Sequence, residues 1–218
     1  LQAAGSARDA VDTHVPRLVA DNFASKLFAQ DPTLWGAAAE EEAAIRLGWT
    51  DAATVSRPLI PEIMELRDDF AREGVTRFVL AGMGGSSLAP EVITRSAGVE
   101  LFVLDSTDPE MVSTALQDLE RTALVVSSKS GSTVETDSAR RVFLEAFERA
   151  GIDGPSRVVV VTDPGSPMDS ASREAGYRKT FNADPNVGGR FSALTAFGLV
   201  PSGLAGVDVA ELSPAKRA

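Results

Sequence analysis

Cysteine is absent from the chain, and histidine occurs once, at His14. With no thiols there is no disulfide framework and no thiolate metal site, which fits a cytoplasmic enzyme. His14 lies far in sequence from every motif described below and reads as a solvated or structural histidine. Long apolar runs are missing too. The longest, such as Arg157 to Thr162 around four valines, fall far short of a bilayer span, so no membrane partner is expected. There is no excess of basic residues either. A net charge of −10 excludes the basic footprint of a nucleic-acid binder, and it leaves any anionic ligand dependent on local donors. Leu1-Gln2-Ala3-Ala4-Gly5 has neither the basic start nor the apolar stretch of a secretory signal, and the missing initiator Met suggests that the natural start lies upstream. What remains is ordinary for a globular protein: 218 residues, 44% hydrophobic and 24% charged, enough for a full core.

The texture of the chain changes near residue 74. Before it, Ala7 to Phe28 and Ala37 to Leu47 are rich in Ala, Glu, Leu and Arg and read as helices, with Asp31-Pro32 between them. Pro61 opens a further segment in which Ile63, Met64, Leu66 and Phe70 form a helical stripe ended by Gly74. After it, strands and helices alternate. Arg77 to Ala81, Leu101 to Leu104, Leu124 to Ser127, Val158 to Val161 and Tyr177 to Phe181 read as strands. Helical stretches lie near Pro90 to Ser96, Glu110 to Leu119, Val134 to Ala150 and Met168 to Glu174. Strands apolar on both faces with helical crossovers predict an α/β fold: a doubly wound, mainly parallel sheet flanked by helices. The expected organisation is an N-terminal helical appendage (1–74), an α/β domain (75–212) and a loose tail (213–218). No repeat of 20–50 residues is present.

Three loops that follow strands carry the chemistry. They are Gly82-Met83-Gly84-Gly85-Ser86-Ser87, Ser127-Ser128-Lys129-Ser130-Gly131-Ser132-Thr133, and Gly188-Gly189-Arg190-Phe191-Ser192. Paired glycines let backbone approach a ligand, and hydroxyls beside a Lys or an Arg suit a phosphorylated small molecule. In this fold class, ligands sit beyond the carboxyl ends of the strands, where helix N-termini converge. In the second loop Ser128, Ser130 and Thr133 offer hydroxyls and Gly131 permits an unusual turn, next to the amides that open a helix. A second explanation competes there: Ser132-Thr133-Val134-Glu135 is a capping box, which accounts for Ser132 and Glu135 but not for Lys129 and the other hydroxyls. The first loop has its own rival. Gly82-x-Gly84 after a strand, with Asp105 ending the next strand, imitates a dinucleotide site, but the third fingerprint position is Ser87. A P-loop is excluded by the missing Gly-Lys-Ser/Thr ending.

On these loops the chain resembles a known family. GMGGSSLAPEV (82–92), SSKSGSTVET (127–136) and NVGGRFSALTAFG (186–198) resemble, in order and spacing, the three sugar-phosphate loops of phosphoglucose isomerase, in its first sugar-isomerase (SIS) domain. The wording of the first loop, with RLGW (46–49), is most similar to the isomerase half of transaldolase–phosphoglucose isomerase fusions. The resemblance runs from about Ala24 to about Pro201. Pro185, Phe197 and the KSGST wording of the second loop depart from the commoner forms.

The resemblance implies reversible interconversion of glucose 6-phosphate and fructose 6-phosphate through an enediolate, with no metal and no organic cofactor. It implies that Ser128, Ser130 and Thr133 bind the phosphate with Lys129 among them, and that Gly85 and Ser86 line the sugar pocket. It sets Gly189 and Arg190 at the reacting end, where a fixed guanidinium stabilises developing negative charge. Glu135 matches a position that supports a ring-opening histidine, although the capping box explains it as well. The family's base, histidine and C-terminal lysine all follow the GGRFS loop, and proton transfer needs a base. The expectation is therefore the N-terminal part of a longer isomerase, able to bind the sugar phosphate and inactive alone. Further expectations are a cytoplasmic homodimer at full length and a transaldolase joined to it. A phosphosugar-sensing SIS module that catalyses nothing, a dinucleotide-binding domain with Asp105 on the ribose, and a plain scaffold are the alternatives.

Overall fold

A computed structural model describes residues 3–212. The N-terminal part holds α1 (Ser6–Ala20), α2 (Phe23–Phe28), α3 (Glu40–Ala43), α4 (Ala52–Val55) and α5 (Leu59–Arg72). The alternating part follows as β1 (Arg77–Gly82), α6 (Leu88–Ala97), β2 (Phe102–Leu104), α7 (Pro109–Ala115), β3 (Thr122–Ser128) and α8 (Val134–Arg149). It ends with β4 (Val158–Thr162), α9 (Pro167–Glu174), β5 (Lys179–Asn182), α10 (Ala196–Ala205) and α11 (Val209–Leu212). The five strands form one sheet in the order β2-β1-β3-β4-β5, and every pairing is parallel. This is the doubly wound α/β architecture expected from the apolar strands.

Side-chain alternation divides the core into two layers. Phe78, Leu80, Val125, Val159 and Val161 face α5, α6 and α10, where Ile63, Phe70, Phe197, Leu199 and Leu204 are buried. Val79, Ala81, Leu124, Val126, Val158 and Val160 face α7, α8 and α9, against Phe143, Phe147 and Met168. The first crossover steps one way across the sheet and the later ones step the other way. With crossovers of one hand, this places α6 opposite α7, α8 and α9. The reversal lies between β1 and β3, the switch point at which such sheets bind ligands.

Several elements differ from expectation for physical reasons. The helix expected over Ala7 to Phe28 breaks at Asn22, whose φ of 52° is left-handed, and α1 has no buried residue to hold it straight. In the stretch expected as a helix from Ala37 to Leu47, α3 is the only α-helical turn, because Leu47 is taken into an antiparallel bridge with Val187. The helix expected to reach Leu119 stops at Ala115. There the Arg77 guanidinium takes the carbonyls of Thr114, Ala115 and Gln117, groups that a longer helix would satisfy itself. β5 begins at Lys179 rather than Tyr177, since Arg178 turns back to Glu73 and lies over Phe70. Helix α10 has no counterpart in the sequence reading, yet every residue from Ala196 to Leu204 is buried. α5 lies before the change of texture at residue 74 but packs on the sheet beside α10. The tail expected over 213–218 lies outside the described residues.

Candidate functional site

The three loops meet at the carboxyl ends of β1, β3 and β4. After β1 the chain makes a tight turn over Gly84–Ser86, with Ser87 Oγ donating to the Gly84 carbonyl at 3.2 Å. Gly85 has no room for a side chain: a Cβ there would sit 2.5 Å from the carbonyl oxygen of Gly189. Contact between backbones is what joins the first loop to the third. Ser192 secures it from the other side, its Oγ donating to the carbonyls of Gly189 (2.7 Å) and Gly85 (3.2 Å).

After β3, the second loop is organised by its own hydroxyls. Ser128 Oγ is 3.1 Å from Thr133 Oγ1 and accepts from the Gly131 amide at 3.2 Å. Gly131 has a φ of 69°, and a Cβ there would stand 2.9 Å from the Met168 amide nitrogen. Helix α8 opens at Thr133, whose side chain makes no capping bond. The capping box is therefore not formed. Ser132 Oγ donates instead to Ser130 Oγ at 3.1 Å, and Glu135 is exposed. The first amides of this 16-residue helix consequently lack both intrahelical and side-chain acceptors. Such an end attracts anions.

Lys129 donates to Asp163 at 2.6 Å, just past the end of β4, and the pair is about three-quarters buried. The second oxygen of Asp163 is buried without a hydrogen-bond partner in the structure. Thr162 Oγ1 holds the Ser128 carbonyl at 2.7 Å and so fixes the root of the loop to β4.

A fourth stretch belongs to this site. Leu47 bridges Val187, the Gly48 amide donates to the Asn186 carbonyl at 3.2 Å, and Trp49 stacks on Phe191 with centroids 5.5 Å apart. Arg46 is thereby carried to the switch point, where its Nη1 donates to the Pro185 carbonyl at 3.3 Å.

These elements enclose an open cavity of about 500 Å³, within the usual range of about 300–1,000 Å³ for small-molecule sites. Lys129, Ser130, Thr133 and Asp163 form one end, while Met83, Gly85, Ser86, Gly189 and Arg46 complete the wall. Of the expected site residues, Gly85, Ser86, Lys129, Ser130, Thr133 and Gly189 are thus brought together. Ser128 is buried behind them and shapes the loop. Arg190 is not on this cavity. The turn over Gly189–Leu194 directs Ser192 inward and Phe191 onto Trp49, so Arg190 is exposed on a neighbouring pocket with Trp35, Trp49 and Phe191. Glu135, Asp105 and His14 also lie off the cavity; Asp105 lines a separate pocket beside β2. Arg46 and Asp163 were missed. The signal for Asp163 was its place at a strand end, and Arg46 stood in the RLGW stretch without a role. Among the described residues no cluster of His, Cys, Asp and Glu is suited to a metal ion, and no helix is long and apolar enough to cross a membrane.

No family model matches the chain. It is 37% identical over 169 residues to glucose-6-phosphate isomerase of Thermus thermophilus, a match that covers 75% of this chain and 40% of the relative. It is 36% identical over 143 residues to the same enzyme of Gloeothece citriformis, covering 62% of this chain and 27% of that one. Among solved structures, a hypothetical protein from Thermus thermophilus superposes with a TM-score of 0.74 and 34% identity, over 92% of this chain and 46% of its own. A glucose-6-phosphate isomerase from Chlamydia trachomatis superposes with a TM-score of 0.61 and 30% identity, over 82% of this chain and 34% of its own. The chain thus spans less than half the length of these relatives. Over the part that matches, in sequence and in fold, it is similar to glucose-6-phosphate isomerases.

Proposed function

We propose that this chain is the sugar-phosphate-binding part of a glucose-6-phosphate isomerase, acting on glucose 6-phosphate and fructose 6-phosphate through an enediolate. One observation carries the reading. The N-terminus of α8 is open at the switch point, and Ser130, Thr133 and Lys129 face the same cavity beside it. Backbone amides, two hydroxyls and an ammonium are the donor set for a phosphate dianion, each bond strengthened by the ligand's charge. Gly85, Ser86 and Gly189 form the wall along which the sugar lies, with no side chain at either glycine to crowd it. The similarity to isomerases over most of the chain supports the same reading.

Isomerisation also requires a base within hydrogen-bond reach of the proton that moves. The carboxylate on the cavity wall is Asp163, and Lys129 holds it. The proposal is therefore that this chain alone binds the phosphosugar without turning it over. Glu135 is exposed, and Arg190 lies on the neighbouring pocket, which shares Arg46 and Gly189 with the cavity. The wording of the first loop and of RLGW extends the reading to the isomerase half of a transaldolase fusion, a cytoplasmic homodimer at full length.

Calorimetric titration of the chain with fructose 6-phosphate, with NADH and inorganic phosphate in parallel, tests the proposal. Fructose 6-phosphate binds and NADH does not. Ser130→Ala combined with Thr133→Val weakens the phosphosugar by at least about a hundredfold, as expected for two hydrogen bonds to a charged group. Binding of NADH alone, or an unchanged affinity in the double variant, refutes it.

A further inference from the structure

We infer that Arg46 is a ligand-contacting residue of the switch-point cavity, its guanidinium facing the carbonyl-bearing end of the phosphosugar. The inference rests on the phosphosugar reading above and adds to it a residue from outside the three loops. The charge balance of the cavity comes first. Its charged lining groups are Arg46, Lys129 and Asp163. Lys129 and Asp163 are paired at 2.6 Å and largely buried, so they nearly cancel, and the charge in excess belongs to Arg46. Among the described residues, the carboxylate paired with Arg46 is that of Glu42, at 2.7 Å and 71% exposed. It is an i,i+4 surface pair of the kind that contributes little and yields readily to a ligand anion.

Position decides which end of the ligand Arg46 meets. The phosphate seat lies with Ser130, Thr133 and Lys129 at the start of α8. Arg46 shares both the cavity and the neighbouring pocket with Gly189, and so stands on the third-loop side. It is held there by backbone rather than by chance. The Leu47–Val187 bridge, the Gly48–Asn186 hydrogen bond and the Trp49–Phe191 stack fasten the three residues after it to the third loop. With Nε on Glu42 and Nη1 on the Pro185 carbonyl, Nη2 is left for a ligand. A guanidinium so placed suits an oxygen that gains negative charge, the situation at C1 and C2 in an enediolate.

Two ligands with the same phosphate and different far ends separate the possibilities. 6-Phosphogluconate carries a carboxylate at C1, and sorbitol 6-phosphate carries a neutral hydroxyl there. Calorimetry on the whole chain gives the affinities. Arg46→Met weakens 6-phosphogluconate by about ten- to a hundredfold, the worth of a charge-assisted bond, and sorbitol 6-phosphate by less than about threefold. Arg46→Lys recovers part of the loss, keeping the charge without the fork. Glu42→Gln leaves Arg46 in place and removes its competitor, so 6-phosphogluconate binds more tightly, a change that a purely structural Arg46 would not produce. Equal losses for both ligands in Arg46→Met would assign Arg46 to the phosphate and overturn the inference. So would unchanged affinities in both Arg46→Met and Glu42→Gln. If the unaltered chain binds neither ligand, it is the phosphosugar reading itself that fails.

Discussion

Gly85 shows how much of this site depends on the absence of a side chain. A Cβ there would fall 2.5 Å from the carbonyl oxygen and 2.7 Å from the carbonyl carbon of Gly189, and both neighbours are backbone. No rotamer change relieves such a contact, so the first and third loops must part. Gly85→Ala should cost about 1–3 kcal/mol, in the range of overpacking. For a chain of this size that lowers Tm by about 2–4 °C per kcal/mol. Because Ser192 bonds the carbonyls of both Gly85 and Gly189, the cavity wall is displaced as well, and phosphosugar affinity falls with the stability. A melting curve and a titration on the same sample check this; an unchanged Tm with unchanged affinity would mean that the loops separate freely. Ser128 makes a complementary point. Its hydroxyl is consumed inside the loop by Thr133 and Gly131, so its part is to hold the other donors in position.

At the scale of elements, helix α9 gives the stability of the fold a dependence on pH. It starts beneath the second loop, with Ser166 capping it and Met168 packed against Gly131. The Gly165 amide, above all, and then Asn182 and Arg173 hold the Asp169 carboxyl below the ordinary carboxylate range. A carboxyl with a folded-state pKa below its unfolded value stabilises the fold above the unfolded value of about 3.9, and that contribution is lost as pH falls through the folded one. Urea midpoints at pH 5 and pH 3 should therefore drop for the natural chain and drop less for Asp169→Asn. An equal drop would show that Asp169 does not contribute. Elements whose pattern is local were legible in the sequence: the Val-rich strands, the helical stretch from Val134 to Ala150 that became α8, and the glycine and hydroxyl loops. Helix α10 was not, because it is apolar on every side and has no amphipathic period, while Pro201 and its glycines argue against a helix. The failure of the capping box has the same origin. Ser132 finds Ser130 rather than the helix amides, an outcome fixed by how the loop closes and not by spacing. Arg46 was invisible as a site residue because a bridge between residues 47 and 187 is a pairing that no local pattern announces.

Over the whole molecule, the cavity gathers residues that lie more than a hundred positions apart in sequence: Arg46, the loops after β1 and β3, Asp163 after β4, and Gly189. A ligand held there binds only when the sheet is closed and the N-terminal segment is latched on. Binding to the folded state alone raises stability by about 2.7 kcal/mol at a ligand concentration a hundredfold above Kd. For about 200 residues this shifts Tm by roughly 5–10 °C. The stabilisation should not be uniform, because local opening depends on local packing. Helix α1 has no buried residue and supplies none of the residues that line the cavity, whereas Leu47 and Gly48 are buried against the third loop. Hydrogen exchange with saturating fructose 6-phosphate should therefore slow at residues 46–49, 83–87, 129–133 and 186–192, and remain unchanged across α1. Protection confined to residues 129–133 would reduce the site to a phosphate seat at the start of α8, with the third loop and the 46–49 segment serving only the fold. Protection at all four stretches together would show that they respond to the ligand as one unit, as the bridge at Leu47 and the staple at Ser192 require.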